Sequence, residues 1–538
     1  MRKEFINISI LIFLFIAITY LVWPPILWSL VIIMPLFLIG LRDITQKKQA
    51  IKRNFPLVGN FRYILESIRP EISQYFIETN FSGVPFSRQS RSLVYQRAKR
   101  QLDTLPFGTQ RNVYDVGYEW VNHSLNPKHP DPKSLRVTIG GPDCLQKYSA
   151  SILNISAMSY GSLSKNAVMA LNKGAQLSDF AHNTGEGGLT EYHLKNGGDV
   201  IWQIGTGYFG ARTLEGNFDE TLFKEKAHHT NVKMIEIKLS QGAKPGHGGI
   251  LPAAKVTEEI SKIRNVPMGR DVNSPPAHSA FTTPIEMMDF IKKLRDLSGG
   301  KPIGIKLCIG KRREFLAICK AMIETGILPD YIAVDGTEGG TGAAPVEFSD
   351  SIGTPLNESL IFVHNALVGY NLRDKIKVIC SGKIITGFDV VKNISIGADL
   401  CYSARGMMMA VGCIQALRCN ANVCPTGVAT QNPQLVKGLD VEDKAQRAAS
   451  YHDGTVHSVA EIIGSMGLSS TKELRPWHRM RRTDFTEIKH YGEIYEFLKP
   501  GALLAEDLPK GWARAVKAAA ANTFSHVSDK REFESVEI

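Results

Sequence analysis

From residue 150 onward one pattern recurs eight times. A short apolar run rich in β-forming residues ends in a loop of Gly, Ser, Thr and Asn, and a helical stretch follows. The runs are 151–156, 179–182, 200–204, 234–239, 303–307, 331–334, 376–380 and 400–402. Strands that alternate with helices build parallel sheets, because a parallel connection needs a long crossover. Eight such units close into a barrel whose site lies on the loops at the strand C-terminal ends. The fold class expected is therefore α/β, a (β/α)8 barrel of the TIM type, with an open doubly wound sheet as the alternative.

The chain has 538 residues, room for one large domain with additions or for several. The expected organisation is a helical hairpin at 1–45, a small N-terminal subdomain at 46–149, the barrel at 150–475, and a helical extension with a polar tail at 476–538. A short helix is expected over 70–79, and a helix over 445–463 interrupted at Gly454. The tail from about Ser525 is charged and reads as disordered. Net charge is +11, but the basic residues are spread along the chain. No basic–aromatic stripe or nucleic-acid motif accompanies them, which argues against nucleic-acid binding.

Between Phe5 and Leu41 no residue is charged. That is too long for one membrane span, which needs about 20 residues. Trp23-Pro24-Pro25 breaks it, since two prolines remove two backbone donors and favour a turn. Two helices near 4–22 and 26–42 would make a membrane hairpin. Arg2 and Lys3 precede it, and Arg42, Lys47, Lys48, Lys52 and Arg53 follow. Positive flanks on both sides put both ends, and the catalytic part, in the cytoplasm as a multi-pass cell-membrane protein. A cleaved signal peptide and a single kinked span are the rivals.

Three of the eight cysteines, Cys413, Cys419 and Cys424, fall within twelve positions, and Pro425 follows the last. This grouping suits an iron–sulfur cluster better than a disulfide or a structural zinc, whose ligands pair at shorter spacing. Three ligands without an obvious fourth suggest a three-iron cluster, or a four-iron cluster with one open iron. Ordinary buried thiols are the alternative. Because the trio follows the eighth strand, it is expected to return to the face of the barrel that carries the site.

The loops after strands seven and eight contain Ser381-Gly382-Lys383 and Ser403-Ala404-Arg405-Gly406, where such barrels often hold a phosphate. Glycine lets backbone N–H groups approach phosphate oxygens, and Gly339 and Gly340 could join them. A phosphate cradle beside an iron–sulfur centre favours a flavin, which exchanges hydrides and single electrons. Gly205-Thr206-Gly207-Tyr208-Phe209-Gly210 matches a dinucleotide fingerprint, but no strand ending in an acid follows at the required distance, so a barrel loop is the better reading. Lys306, in an otherwise apolar strand, is placed to stabilise a reduced flavin ring, and Gln241 to hydrogen-bond it. Glu186, Lys238 and Lys244 could orient a dicarboxylate. Asp335 reads equally as a turn former, His247 as a turn residue or proton donor, and Met407-Met408-Met409 as core.

These segments together resemble the FMN-binding synthase domain of glutamate synthase, over roughly 150–470. The likeness rests on Ser156-Ala157-Met158-Ser159, Asn183-Thr184-Gly185-Glu186-Gly187-Gly188, Gln241-Gly242-Ala243-Lys244-Pro245-Gly246, Ser274-Pro275-Pro276, Gly339-Gly340-Thr341-Gly342 and the stretch from Cys413 to Gln431. Pro106-Phe107-Gly108-Thr109-Gln110 is similar to a segment of the stand-alone, membrane-anchored branch. The resemblance implies FMN and a 3Fe–4S cluster on Cys413, Cys419 and Cys424. It implies an oxidoreductase of CH–NH2 donors that condenses 2-oxoglutarate with ammonia and reduces the 2-iminoglutarate to L-glutamate. By the same likeness Met158, Ser159, Gln241, Lys306, Gly339, Gly340, Gly382 and Ser403 surround the flavin, and Glu186, Lys238 and Lys244 act at the substrate. The glutaminase domain and the C-terminal β-helix of the larger members have no counterpart here, and His247 stands where they usually carry glutamate. Ammonia would come from solution or a partner, and electrons from ferredoxin, a membrane carrier or a separate NAD(P)H reductase. A flavin barrel acting on another small oxo, hydroxy or amino acid, and a non-catalytic membrane redox sensor, are the alternative functions.

Overall fold

The structure is a computed structural model and describes residues 1–525. The tail expected to be disordered lies almost wholly outside the described residues. The chain divides into two compact units, Met1–Gln89 and a larger one from Ser90 onward.

The first unit is helical. Helix α1 (Arg2–Tyr20) and helix α2 (Leu30–Thr45) are joined by a 3-10 turn over Pro24–Ser29, as two consecutive prolines dictate. Phe37 of α2 packs edge-on against Phe13 and face-on against Phe5 of α1, so the two helices run antiparallel. Their apolar side chains nevertheless face outward: Leu11 of α1 is 65% and Ile32 of α2 68% exposed. Arg2–Tyr20 and Pro24–Thr45, the second including the 3-10 turn, are long and apolar enough to cross a membrane, a test that a signal sequence near an N-terminus also passes. Short helix α3 (Ala50–Asn54) leads into α4 (Val58–Ile72). The helix expected over 70–79 is the end of this longer one, which passes through Pro70 and finishes in a π turn at Ser73–Ile77.

In the second unit eight parallel strands close a barrel: β1 (Leu153–Ile155), β2 (Ala181–Asn183), β3 (Asp199–Ile204), β4 (Val232–Lys238), β5 (Ile303–Leu307), β6 (Tyr331–Asp335), β7 (Lys377–Ser381) and β8 (Leu400–Ser403). Each pairs with its neighbour in sequence, and β8 pairs with β1. All eight expected runs are these strands, and the open-sheet alternative is excluded by the closure.

Register shows which side chains fill the barrel. Gln203 aligns with Glu236, Lys238 with Lys306, Lys306 with Ala333, and Asp335 with Ser381. Residues aligned across a parallel sheet share a face, so these point inward together. Gly304 stands beside the Tyr331 ring, where a Cβ would lie 2.4 Å from it, so glycine makes room for an aromatic in the interior. Deeper in, Asn183 and Gln203 donate to Glu236 Oε1 at 2.9 and 2.7 Å. Burial raises the Glu236 carboxyl above its ordinary value, against the pull of Lys306.

At the N-terminal ends of the strands the frame is held by charge. Arg295 donates to Asp330 Oδ2 at 3.1 Å, both side chains buried, and Asp330 also accepts from the backbone of Ile303 and Gly141. The helix Val441–Ser465 packs across the helix Lys165–Leu177, and it runs through Gly454 without the expected interruption. A Cβ there would meet only the Arg97 side chain at 3.4 Å, so glycine is not required by the packing. A small antiparallel sheet joins Glu119–Val121 to Arg479–Arg482 and Ile488–His490, which ties the segment before the barrel to the one after it.

Candidate active site

Five of the barrel strands end on a polar or charged residue at the same rim: Asn183, Lys238, Asp335, Ser381 and Ser403. The loops beyond them carry the remaining groups. Glu186, in the loop after β2, accepts from Lys238 Nζ at 2.7 Å, with both side chains largely buried. A Cβ on Gly249 would lie 2.2 Å from Glu186 Oε1, so the loop after β4 approaches this carboxylate closely at a residue without a side chain. Lys244, from that same loop, is 2% exposed and donates to the carbonyl of Ala343 at 2.9 Å. Burial brings its ammonium down to about 8, although Glu186 opposes the shift.

A fourth charge joins them that the sequence did not single out. Arg264 closes the helix Glu258–Arg264 and is buried. Its Nη2 donates to the Tyr160 carbonyl at 2.9 Å, Nε has no partner, and the guanidinium lies 5.0 Å from the Phe209 ring. Burial brings it down to about 10, and Glu186 opposes that. In sequence, a basic residue in the last turn of a short helix reads as a surface group complementing the helix dipole. Only the fold turns it inward. Burial acts to raise the Glu186 carboxyl, yet the nearby Lys238, Lys244 and Arg264 hold it below its ordinary value. Three buried cations therefore share one carboxylate, an excess of positive charge that favours an anion with more than one negative charge.

Lys306 is buried, not a surface lysine, and its Nζ stands 3.8 Å from Asp335 Oδ2. Asp335 is more than a turn former. It accepts from the backbone N–H of Gly242 at 2.8 Å and from the Ser381 hydroxyl, which clamps three rim loops together. Gly242 is obligatory there, since a Cβ would fall 1.7 Å from the Gly336 carbonyl oxygen. Gln241, next to it, is half-buried, and its carbonyl faces the Lys244 N–H at 3.4 Å. His247 hydrogen-bonds the Gly248 carbonyl and packs edge-on against Phe348, the arrangement of a turn residue.

The three glycine segments expected to cradle a phosphate do converge. Arg405 Nη2 donates to the Glu338 carbonyl at 2.6 Å. A Cβ on Gly340 would sit 2.7 Å from Arg405 Nε, and one on Gly382 3.3 Å from Glu338. Burial lowers both Arg405 and Lys383, so their positive charges are incompletely solvated. Ser403 Oγ donates to the Ile384 carbonyl at 2.7 Å and fixes the eighth loop against the seventh. Two basic side chains thus stand among these backbone turns, with the Glu338 carboxylate acting on both and that of Asp335 on Arg405. Met158 is buried, and Ser159 Oγ donates to Ser162 Oγ at 3.1 Å in the loop after β1. Met407 and Met409 are core.

The cysteine segment returns to this rim. Gln431 Nε2 donates to the carbonyls of Gly161 and Leu163, in the loop after β1, and the Ser164 N–H to that of Val428. Lys255 is buried, donates to the carbonyls of Ser162 and Ala429, and is brought down to about 8 by burial, against Cys419 and Cys424. Cys413 Sγ accepts from the Gln415 N–H at 3.4 Å, and burial pushes its thiol up to about 12. Burial acts to raise Cys424 too, but the Thr426 hydroxyl and the N–H groups of Ala429, Thr426 and Val428 outweigh it and stabilise the thiolate. Gln415, Leu417 and Asn422 have φ of 58°, 54° and 60°, so this loop bends through the left-handed region at three non-glycine residues. The three thiols feel one another's charge. Among the described residues no three His, Cys, Asp or Glu side chains are arranged to hold a metal ion.

Residues 143–469 match the family described as the conserved region in glutamate synthase. The glutamate synthase large subunit-like protein YerD of Bacillus subtilis (strain 168) is 37% identical over 505 residues, covering 86% of this chain and 95% of that protein. The archaeal glutamate synthase [NADPH] of Methanocaldococcus jannaschii is 36% identical over 66% of this chain and 66% of its own length. The archaeal-type enzyme of Thermotoga neapolitana is 35% identical, with 60% of each chain covered. With a closed barrel whose mouth gathers buried cations, and matched across most of its length to these proteins, this chain belongs to the glutamate synthase family, oxidoreductases that act on CH–NH2 donors.

Proposed function

We propose that the barrel mouth binds FMN and that the enzyme reductively aminates 2-oxoglutarate to L-glutamate by way of 2-iminoglutarate. The observation that carries this reading is the charge imbalance at the rim, where Lys238, Lys244 and Arg264 surround the single carboxylate of Glu186. A dicarboxylate restores neutrality there, and each charge-assisted hydrogen bond to it contributes about 1.5–3 kcal/mol. Because the cations are already buried, little water has to be stripped from them when substrate enters.

FMN, when bound, supplies hydride transfer. Lys383, Arg405 and the backbone of Gly339, Gly340 and Gly382 hold its phosphate. Lys306 would supply positive charge to the flavin ring, and Asp335 keeps that ammonium oriented. Met158, Ser159, Gln241 and Ser403 complete the enclosure. Glu186 orients Lys238 and, through it, the amino-acceptor carbon of the substrate. Lys244 draws a carboxylate against the loop after β6.

For the iron–sulfur cluster the support is the donor set: three thiols on one segment that is held to the loop after β1, the loop whose Tyr160 carbonyl also accepts from Arg264, and one of them already surrounded by N–H donors. Bound there, a cluster would pass electrons one at a time to the flavin. The names of the relatives from Methanocaldococcus and Thermotoga include NADPH. For this chain the proposed donor is ferredoxin or a separate NAD(P)H-oxidising protein. Helices α1 and α2 are proposed as a two-span anchor that leaves the barrel in the cytoplasm.

The test is isotopic. Protein purified without oxygen, reduced and given 2-oxoglutarate with [15N]ammonium, should form one [15N]glutamate per flavin in a single turnover. Formation of no glutamate by fully flavin-loaded protein contradicts the proposal. Cys424→Ser should remove iron and its visible absorption while FMN stays bound. Unchanged iron content in that variant rejects the cysteine assignment alone.

A further inference from the structure

Helix α4 lies beyond the two apolar helices and has no role in the account so far. Its apolar residues fall at Val58, Phe61, Leu65 and Ile68, with Ile64 between them, which puts all five on one face of the helix. That face is bare: Val58 and Phe61 are each 64% exposed and Ile64 53%. Arg62 and Arg69 follow Phe61 and Ile68 directly in sequence, so they border the stripe, and both are exposed. Long basic side chains at the edge of an apolar stripe can reach toward anionic headgroups while the stripe is buried.

The start of α4 is also fixed at one level. Asp43, buried in the last turns of α2, accepts from the backbone N–H of Leu57 and from the Asn60 side chain. The first turn of α4 is thereby tied to the polar end of the second apolar helix. If α2 crosses a bilayer, that end stands at the headgroups. From Arg42 to Ile72 the chain carries seven Lys and Arg against three Asp and Glu.

We propose that α4 is an interfacial helix that lies in the plane of an anionic bilayer, its Val58–Phe61–Ile64–Leu65–Ile68 face sunk among the acyl chains. The stripe, its basic border and its tether to α2 each point to a lipid surface. A second copy of the chain would answer the stripe, but not the tether or the basic border. The inference rests on the membrane anchor proposed above. It goes further, because it makes a lipid surface with acidic headgroups the partner and gives this protein a second, reversible membrane contact.

The experiment uses the full-length protein in nanodiscs of phosphatidylcholine, with or without phosphatidylglycerol, and reads amide hydrogen exchange. With phosphatidylglycerol, exchange across residues 58–72 should slow by about tenfold or more relative to phosphatidylcholine alone. Phe61→Glu with Leu65→Glu, both at exposed positions, should abolish that protection while the protein still resists alkaline extraction from membranes. Equal exchange in both lipids, with the protein still resistant to alkali, overturns the interfacial helix and leaves the anchor standing. Release by alkali rejects the anchor and, with it, this inference. Protection that is lost when each disc holds a single copy assigns the face to self-association and also overturns the proposal.

Discussion

The barrel mouth and the N-terminal helices break the same rule in opposite directions. At the mouth Lys238, Lys244, Arg264, Lys306 and Asp335 are buried, and below it Glu236, residue types that are seldom buried without partners. In α1, α2 and α4, leucines, isoleucines and phenylalanines face outward. Charge held inside marks a place prepared for a charged ligand, since the protein has already met the cost of desolvation. Apolar surface held outside marks a place prepared for an apolar partner. The comparison separates the two units: the second carries the candidate site, and the first carries the apolar surface proposed as an anchor.

Removal of residues 1–45 tests that separation with the largest effect. The shortened chain should move from the membrane to the soluble fraction and keep its flavin. Loss of flavin on truncation would show that the two regions are not independent. Next in size is Arg295→Ala, at the end of the barrel away from the site. It strands the buried Asp330 carboxylate and should cost about 3–5 kcal/mol of stability, read as a lowered Tm. In the holoenzyme KM for the oxo acid should not change.

Lys244→Met should do the reverse. It should leave Tm nearly unchanged and raise KM for the dicarboxylate by about 10- to 100-fold, the value of one charge-assisted contact. The pH dependence follows from the same residue. Its ammonium is lowered from 10.5 to about 8 by burial. Substrate affinity should therefore fall as pH rises through 8, because the neutral amine no longer attracts a carboxylate. The unfolded chain keeps its proton up to 10.5, so between pH 8 and 10.5 it binds more protons than the folded one. Stability without substrate rises over that window. Opposite slopes for affinity and stability, the first abolished and the second reduced in Lys244→Met while Lys255 and Lys301 keep their share of it, would sharpen the contrast between ligand-directed and structural burial. The smallest effect is expected at Gly454→Ala. The helix interior there has room for a Cβ, and the change should add about 0.5–1 kcal/mol.

Much of this could be read from the chain before the fold was known. The eight strands were legible because each is a short apolar run ended by glycine and small polar residues, a local signal. Lys306 was legible because a lysine inside a buried strand contradicts its surroundings. Arg264 was not, because its role depends on where a short helix lands against the loop after β1, a contact between residues 104 positions apart. Asp335 was only half legible. A carboxylate before glycine is what any turn contains, and its three-way clamp on Gly242, Ser381 and Lys306 exists only in three dimensions. The helix α4 was misplaced toward its end because Pro70 reads as a start signal, whereas here it sits inside a helix with a π turn after it. Gly454 was over-read in the same way, since a lone glycine weakens a helix but does not end one.

The account depends most on a rim charged for a dianion, facing a bound flavin. The direct measurement is the rate at which anaerobically reduced protein loses its reduced-flavin absorbance on mixing with 2-oxoglutarate and ammonium. The account predicts saturable reoxidation that needs both compounds and weakens above pH 8. Reoxidation indifferent to the second carboxylate, as fast with 2-oxobutyrate as with 2-oxoglutarate, would contradict it.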